Sequence, residues 1–263
     1  MKKLEGKVAL ITGASKGIGE GIARVYAKYG AKLVLAARGE RVLEFAEELR
    51  SQGYDAIGVR ADVTQKESVL ALVKAALDRY GTIDVLVNNA GVCILGDLLT
   101  SSDEDRDAHF DINIKGVWNV TRAVAPIMMM KKEGKIVIMS SVTGDMVADP
   151  GEAAYATSKA ALVGFTKAVA RELADYNITV NAICPGYVLT PMVEGMAKQS
   201  CPENPQSVID GIAAGVPLKR LARPEEVGEL AAFLGCYESS YITGAQIVID
   251  GGSTLPETSS MGV

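Results

Sequence analysis

The chain has 263 residues, is 48% hydrophobic and carries a net charge of −5. That suits one large domain with a well-buried core, and with no Lys/Arg run longer than two residues it lacks the basic stripe of a nucleic-acid binder. No apolar run approaches the ~20 residues of a membrane helix, and "VALI" behind Lys2 and Lys3 is far short of a signal-peptide core of ~7–15 residues, so a cytoplasmic protein is expected, without nucleic-acid or membrane partners.

Along the chain, short runs rich in Val, Ile and Leu alternate with longer segments of helical spacing. The first apolar run, "KVALIT" (7–12), leads through "TGASKGIG" (12–19) into the helical segment "GEGIARVYAKYG" (19–30). Gly13 permits a tight turn there, while Gly17 and Gly19 let the backbone approach a pyrophosphate at a helix N-terminus. The same glycines also serve plain strand–helix packing, and a glycine motif alone is weak. "AKLVLAA" (31–37) then ends at Arg38, where a dinucleotide fold usually places an acid for the adenosine ribose. Glu40 opens the next helical segment, "RVLEFAEELRSQG" (41–53). Lys16 and Arg38 together suit a 2′-phosphate and favour NADP(H) over NAD(H); as solvated surface charges they would mean nothing.

"DAIGVRA" (55–61) is followed by Asp62 and Val63, then by "ESVLALVKAALDRYG" (67–81). Asp62 reads equally as an acceptor for an adenine amino group or as a helix cap with Thr64. "IDVLVNN" (83–89) closes on two amides, Asn88 and Asn89, which suit backbone groups left open where strands separate. His109, the only histidine, precedes the amphipathic "FDINIKGVWNV" (110–120), and a structural role is expected for it. A Ser-His-Asp hydrolase gains no support, because no G-x-S-x-G elbow precedes it. "AVAPIMMM" (123–130) is interrupted by Pro126.

"KIVIMSS" (135–141) ends on Ser141, whose hydroxyl suits a carbonyl oxygen. "YATSK" sets Tyr155 and Lys159 four apart, on one face of a helix that continues as "KAALVGFTKAVARELADY" (159–176). A phenol titrates near pH ~10, and a neighbouring ammonium is expected to lower that value and make the pair a usable acid/base. The strand "ITVNAIC" (178–184), the segment "PGYVLT" (185–190), the helix "EEVGELAAFLG" (225–235) and the strand "AQIVIDG" (245–251) complete the alternation. Gly30, Gly53 and Gly81 close their helices. Cysteines 93, 184, 201 and 236 form no CxxC and are read as free thiols, and no metal site is expected.

Strand–helix alternation with fully apolar strands implies an α/β fold: a Rossmann-type doubly wound sheet of seven mostly parallel strands, helices on both faces. One domain spans 1–263, with a cofactor half to about 135, a catalytic half to about 250 and an extended tail from about 253. Ligands then bind outside the strands' carboxyl ends, where the polar and small residues collect.

From "GKVALITGASKGIG" to "ITGAQIVIDGG", in order and context, the sequence resembles the short-chain dehydrogenase/reductase superfamily. The resemblance implies Tyr155 as general acid/base and Lys159 holding the nicotinamide ribose. Ser141, rather than Ser140, would polarise the substrate carbonyl, and Asn113 would bind a water in a proton relay. Cofactor contacts are implied at Gly13, Ser15, Lys16, Gly17, Ile18, Gly19, Arg38, Asp62, Val63, Asn88, Ala90, Gly91, Tyr155, Lys159, Pro185, Gly186, Val188 and Thr190. The reaction is hydride transfer between nicotinamide and a carbonyl or alcohol carbon.

Segments 91–95, 142–152 and those after Thr190 should bound the substrate, with Cys93, Met146, Tyr187 and Met192 beside Ser141 and Tyr155. Their acids, Asp145, Asp149, Glu152 and Glu194, face only Lys198 as a cation, so a small neutral carbonyl or polyol-type substrate is expected rather than an anion. A 3-oxoacyl-[acyl-carrier-protein] reductase would need a basic docking patch, for which only positions 122, 131 and 132 offer cations. A nucleotide-sugar epimerase would need a longer substrate domain, and a non-catalytic NADP(H) sensor would not need the intact catalytic set. The family also implies a homotetramer or dimer, with the polar tail "STLPETSSMGV" reaching a neighbouring subunit.

Overall fold

The computed structural model describes residues 2–255. In chain order it forms β1 (Val8–Thr12), α1 (Gly17–Lys28), β2 (Lys32–Ala37), α2 (Arg41–Ser51), β3 (Ala56–Arg60), α3 (Lys66–Tyr80), β4 (Val85–Asn88), α4 (Asp103–His109), a π-helical stretch (Phe110–Gly116) and α5 (Val117–Lys131). There follow β5 (Gly134–Met139), α6 (Ala153–Leu173), β6 (Ile178–Pro185), α7 (Pro191–Ser200), α8 (Pro205–Gly215), α9 (Pro224–Gly235) and β7 (Gln246–Ile249).

The strands form one seven-stranded sheet in the order β3-β2-β1-β4-β5-β6-β7, every neighbouring pair parallel. The chain builds outward from β1 to β3, then returns to β1's other side and builds outward through β4. That reversal opens a crevice at the carboxyl ends of β1 and β4. Period-2 geometry explains the unbroken apolar runs. In β1, Ala9 and Ile11 face a layer packed by α1, α2 and α9, while Val8 and Leu10 face one packed by α3, α5 and α6. Both faces are dry, so both sets are apolar.

Gly30, Gly53 and Gly81 stand at φ +86, +87 and +76, left-handed positions that end α1, α2 and α3 as expected. Several helices exceed the expectation. α4 is acidic and short, with a Ser102 cap accepting from Asp105 N at 3.0 Å. α7 and α8 begin with proline behind side-chain caps at Thr190 and Asn204; their capping signals are plain, but they are short and carry few buried residues. Pro126 lies inside α5 without ending it. Its buried neighbours Val124, Ala125 and Met128 pack in the core, and that packing outweighs the lost backbone bond.

The expected extended tail is corrected at its root. Residues 253–255 curl around Asp250, whose carboxylate accepts from Gly252 N, Thr254 N and the Ser253 and Thr254 hydroxyls. The rest of the tail lies outside the described residues.

Candidate active site

α6 packs on one face of the sheet beside β6 and carries the expected pair toward the carboxyl end of β5. Lys159 is buried; its Nζ donates to Met139 O at 2.9 Å and lies 5.6 Å from the centre of the Tyr155 ring. The two serines at the end of β5 separate cleanly. Ser140 Oγ donates to Lys159 O at 2.8 Å and so fixes the helix. Ser141 Oγ accepts from Thr143 N at 3.1 Å, which leaves its own hydrogen to donate, and it sits against the Tyr155 phenol.

The electrostatics correct one expectation. Burial raises the Tyr155 pKa above the ordinary phenol value; the Ser141 hydroxyl pulls it down, while the charge of Glu152 adds to the rise. Lys159 is not among the groups that lower it here, and its own burial pushes the ammonium down to about 8. Burial likewise lifts the Cys93 thiol to about 11, which removes it as a nucleophile at neutral pH.

Asn113 sits in the π-helical stretch, completely buried. Its Oδ1 accepts from Val92 N at 2.9 Å, and its Nδ2 donates to Val92 O at 3.0 Å and Ser158 Oγ at 2.9 Å. Ser158 Oγ in turn donates to Tyr155 O. The π-helical turn thus ties the strand-end loop after β4 to α6. Such turns recur at functional sites. A side-chain carbon at Gly91 would lie 3.2 Å from Asn113 Oδ1 and 3.6 Å from Lys159 Nζ, so glycine keeps the space between them clear. His109 is buried with both ring nitrogens engaged: Nδ1 donates to Asp105 O at 2.7 Å and Nε2 accepts from Ile94 N at 3.0 Å. It holds the loop beside Tyr155, 6.2 Å ring to ring, in the structural role expected.

The crevice fits a dinucleotide. α1 starts at an extended Lys16 that provides no side-chain cap, and Glu20 of its first turn is committed to Arg24. A cation at the positive end of a helix, with uncapped N–H groups, favours a bound anion. Gly13 (φ +65) makes the turn, and at Gly19 a side-chain carbon would lie 2.2 Å from Gly13 O and 2.5 Å from Asn89 Nδ2. Glycine at position 19 is therefore required by the turn's own packing. Ser15, Gly17 and Ile18 complete the turn, half-buried. Asn89 serves backbone groups as its amide suggested: it donates to Thr12 O and Gly13 O, and Thr12 Oγ1 receives the Asn89 and Ala90 N–H groups. Asn88 instead is buried and gives its amide to Thr121.

Lys16 and Arg38 are exposed and join no ion pair among the described residues, whereas Glu40 is taken by Arg60 at 2.6 Å. Asp62 is not a helix cap, since α3 begins after Gln65; its Oδ1 accepts from Thr64 N and Thr64 Oγ1, and Oδ2 is left over. Val63 packs on Gly116, and its carbonyl accepts from Asn119. Beyond β6, Pro185 ends the strand and Gly186 packs on Asp250. The Leu189 N–H and Tyr187 C=O pair with Ala222, which turns Val188's own N–H and C=O the other way, toward the crevice side. The Thr190 hydroxyl caps α7 from Val193 N and keeps its hydrogen for another acceptor.

A cavity of about 170 Å³ opens beside Glu152, just before α6, lined by Leu95, Asp149, Tyr187, Val193 and Met196 among others; Ser141, Tyr155 and Lys159 do not line it. Of the expected wall residues it takes Tyr187 but not Cys93, Met146 or Met192; the two methionines stand 39% and 44% exposed on the rim. A larger hollow lined by Leu77, Ile127 and Met130 is remote from this chemistry, and its Lys131 is paired with Asp84. Among the described residues no His/Cys/Asp/Glu group is arranged to hold a metal, the cysteines are free, and no helix is long and apolar enough to cross a membrane.

A family model described as enoyl-(acyl carrier protein) reductase matches residues 13–254. Oxidoreductase UcpA of Salmonella typhimurium is 62% identical over 263 residues, covering all of both chains. The 3-oxoacyl-[acyl-carrier-protein] reductase FabG of Thermotoga maritima is 40% identical over 254 residues, 96% of this chain and 100% of its own. Among solved structures, a short-chain type dehydrogenase/reductase from Mycobacterium marinum superposes with a TM-score of 0.89 at 38% identity, covering 97% of this chain and 98% of that one. A single-residue variant of actinorhodin polyketide ketoreductase with NADPH gives 0.90 at 37% identity, covering 97% and 99%.

Proposed function

The chain belongs to the short-chain dehydrogenase/reductase family, and from that premise we propose that it is an NADP(H)-dependent reductase of small, uncharged carbonyl compounds of the ketone, aldehyde or sugar type. The observation that carries the proposal is the convergence of Ser141, Tyr155 and Lys159 at the carboxyl ends of β5 and β6, beside an uncapped glycine turn. NADPH, when bound, supplies a hydride to the carbonyl carbon. The Ser141 and Tyr155 hydroxyls hold the carbonyl oxygen by donating to it. As the carbon–oxygen double bond becomes single, Tyr155 passes its proton to that oxygen. Lys159, charged below about pH 8, stabilises the phenolate left behind, and Asn113 keeps the helix and loop in register for the return of the proton. Burial keeps the phenol protonated, and the Ser141 hydroxyl, which pulls its pKa down, eases the donation.

Lys16 and Arg38 support the phosphorylated cofactor: they are exposed, unpaired among the described residues, and Glu40 is turned away to Arg60. The NADPH of the ketoreductase neighbour agrees with this. The carrier-protein reductases among the relatives favour a second reading. Against it, the cavity carries Asp149 and Glu152 and no basic side chain, a poor mouth for an acidic carrier. Exposed Trp118, Leu98, Leu99 and Tyr241 support a homo-oligomer, tetramer or dimer, and free thiols suit the cytoplasm.

The test is NADPH oxidation, followed by absorbance, across ketones, aldehydes, ketoses and an acetoacetyl thioester. Tyr155→Phe should cost roughly 10²- to 10⁴-fold in turnover while NADPH still binds. Retained turnover in that variant would overturn the assignment. Tight NADPH binding without turnover of any carbonyl would favour a sensor.

A further inference from the structure

Residues 33–40 contain one acid, Glu40, two positions beyond Arg38. Its Cα therefore stands no more than about 7.6 Å from that of Arg38. Glu40 precedes α2, yet its side chain makes no capping bond there. The carboxylate is held instead by Arg60, whose Nη1 donates to Oε1 at 2.6 Å. Arg60 is the last residue of β3, in register with Ala37, and its Nε donates to Arg38 O at 3.4 Å. One guanidinium thus spans the turn from Arg38 to Glu40 and draws the acid toward β3. A side-chain carbon at Gly39, between the two, would meet nothing within 4 Å, so packing does not fix the turn in Arg60's place.

A carboxylate at this end of β2 accepts from the ribose 2′-hydroxyl of NAD(H) and repels the 2′-phosphate of NADP(H). Glu40 is the acid nearest that position in the chain, and Arg60 decides where its charge is held. We propose that Arg60 is a positioning residue for cofactor choice: by holding Glu40 to β3 it denies NAD(H) a ribose partner and keeps a repulsive charge from the phosphate. The inference rests on the NADP(H) reading above and deepens it. Lys16 and Arg38 attract the phosphate, whereas Arg60 acts through Glu40 and against the competing cofactor. Specificity is the difference between the two affinities, and a restrained acid changes both terms.

Dissociation constants for NADPH and NADH, read by cofactor fluorescence without any carbonyl substrate, test this in the native protein, Arg60→Gln, Arg60→Lys, Glu40→Gln and the double variant Arg60→Gln/Glu40→Gln. Arg60→Gln should weaken NADPH and tighten NADH, each by about three- to fivefold, the worth of an exposed ion pair, so the preference moves by about tenfold or more. Arg60→Lys keeps a charge for Glu40 and should hold the preference within a few-fold of the native value. With Glu40→Gln already in place there is no acid to restrain, so adding Arg60→Gln should leave the NADH constant within twofold. If Arg60 served only as a further cation, NADH would not respond to Arg60→Gln and the loss of NADPH would persist in full beside Glu40→Gln; that result overturns the inference. If the ion pair were only a staple between β3 and α2, Arg60→Gln would lower the melting temperature of the cofactor-free protein and leave the NADPH-to-NADH ratio unchanged. An unchanged ratio overturns the inference and leaves the NADP(H) reading standing. A native protein that binds NADH as tightly as NADPH overturns both.

Discussion

Replacing Lys159 with methionine isolates the electrostatics at the centre of the site. The side chain is almost fully buried, and burial takes its pKa from 10.5 to about 8. At 1.36 kcal/mol per pH unit, the folded protein holds the ammonium at a penalty of roughly 3 kcal/mol. Methionine removes that penalty but leaves Met139 O without its donor, at about 1–3 kcal/mol. Near pH 7 the two effects roughly cancel, and the variant should be about as stable as the parent. Between pH 8 and 10.5 the unfolded chain keeps the Lys159 proton while the folded protein has released it. Stability therefore rises with pH in the parent, relative to the variant. Above that window only the lost hydrogen bond remains, so the difference should swing by roughly 3 kcal/mol against the variant. For a chain of this size that is on the order of 6–12 °C in melting temperature. Thermal melts of the two cofactor-free proteins from about pH 7 to 10.5 read it. A difference that stays flat across the window would refute the buried-ammonium account, whatever the variant does to turnover.

Two further substitutions probe the cofactor crevice and the frame. Arg38→Asp should weaken NADPH by roughly ten- to hundredfold, the worth of one charged hydrogen-bonded contact, and NADH much less; a titration by cofactor fluorescence that finds the preference unchanged makes Arg38 a bystander. Glu226 is held down to about 2 by the paired Arg220 guanidinium, 2.7 Å away, and by the Arg223 N–H at the start of α9. Its contribution is complete above the ordinary carboxylate value of 4.5 and is lost as pH falls toward 2. Glu226→Gln should accordingly cost about 1 kcal/mol at pH 7 and nothing near pH 2, as urea unfolding at both pH values will show.

The sheet was legible because both faces of every inner strand are dry, which writes each strand as an unbroken apolar run with polar residues stacked at one end. Tyr155, Lys159 and the glycine turn were legible from spacing, and the three glycine helix ends from composition. What was not legible depends on tertiary geometry. The π-helical stretch has no residue pattern of its own, so the reach of Asn113 to both Val92 and Ser158 was hidden. Only the family resemblance told Ser141, which faces the phenol, from Ser140; that Ser140 faces the Lys159 carbonyl needed the fold. Gly19 also answers a packing demand, which only the 2.2 Å approach to Gly13 O reveals. The expected depression of the Tyr155 pKa failed because spacing reports proximity but not burial.

That failure bears on how the pair can work. Burial moves Tyr155 upward and Lys159 downward, so each is pushed toward its neutral form. A raised pKa keeps the phenol protonated but makes it the weaker acid, so burial by itself favours neither direction of proton transfer. The Ser141 hydroxyl pulls the other way and eases ionisation. An ammonium held at about 8 is still mostly charged at neutral pH and can stabilise the phenolate that donation creates, whereas in alkali it has lost that charge. The pair is therefore best matched to its task on the neutral side of pH 8. The charges of Lys16 and Arg38 act at a different part of the crevice and by different physics, so cofactor choice and proton transfer are separable by mutation.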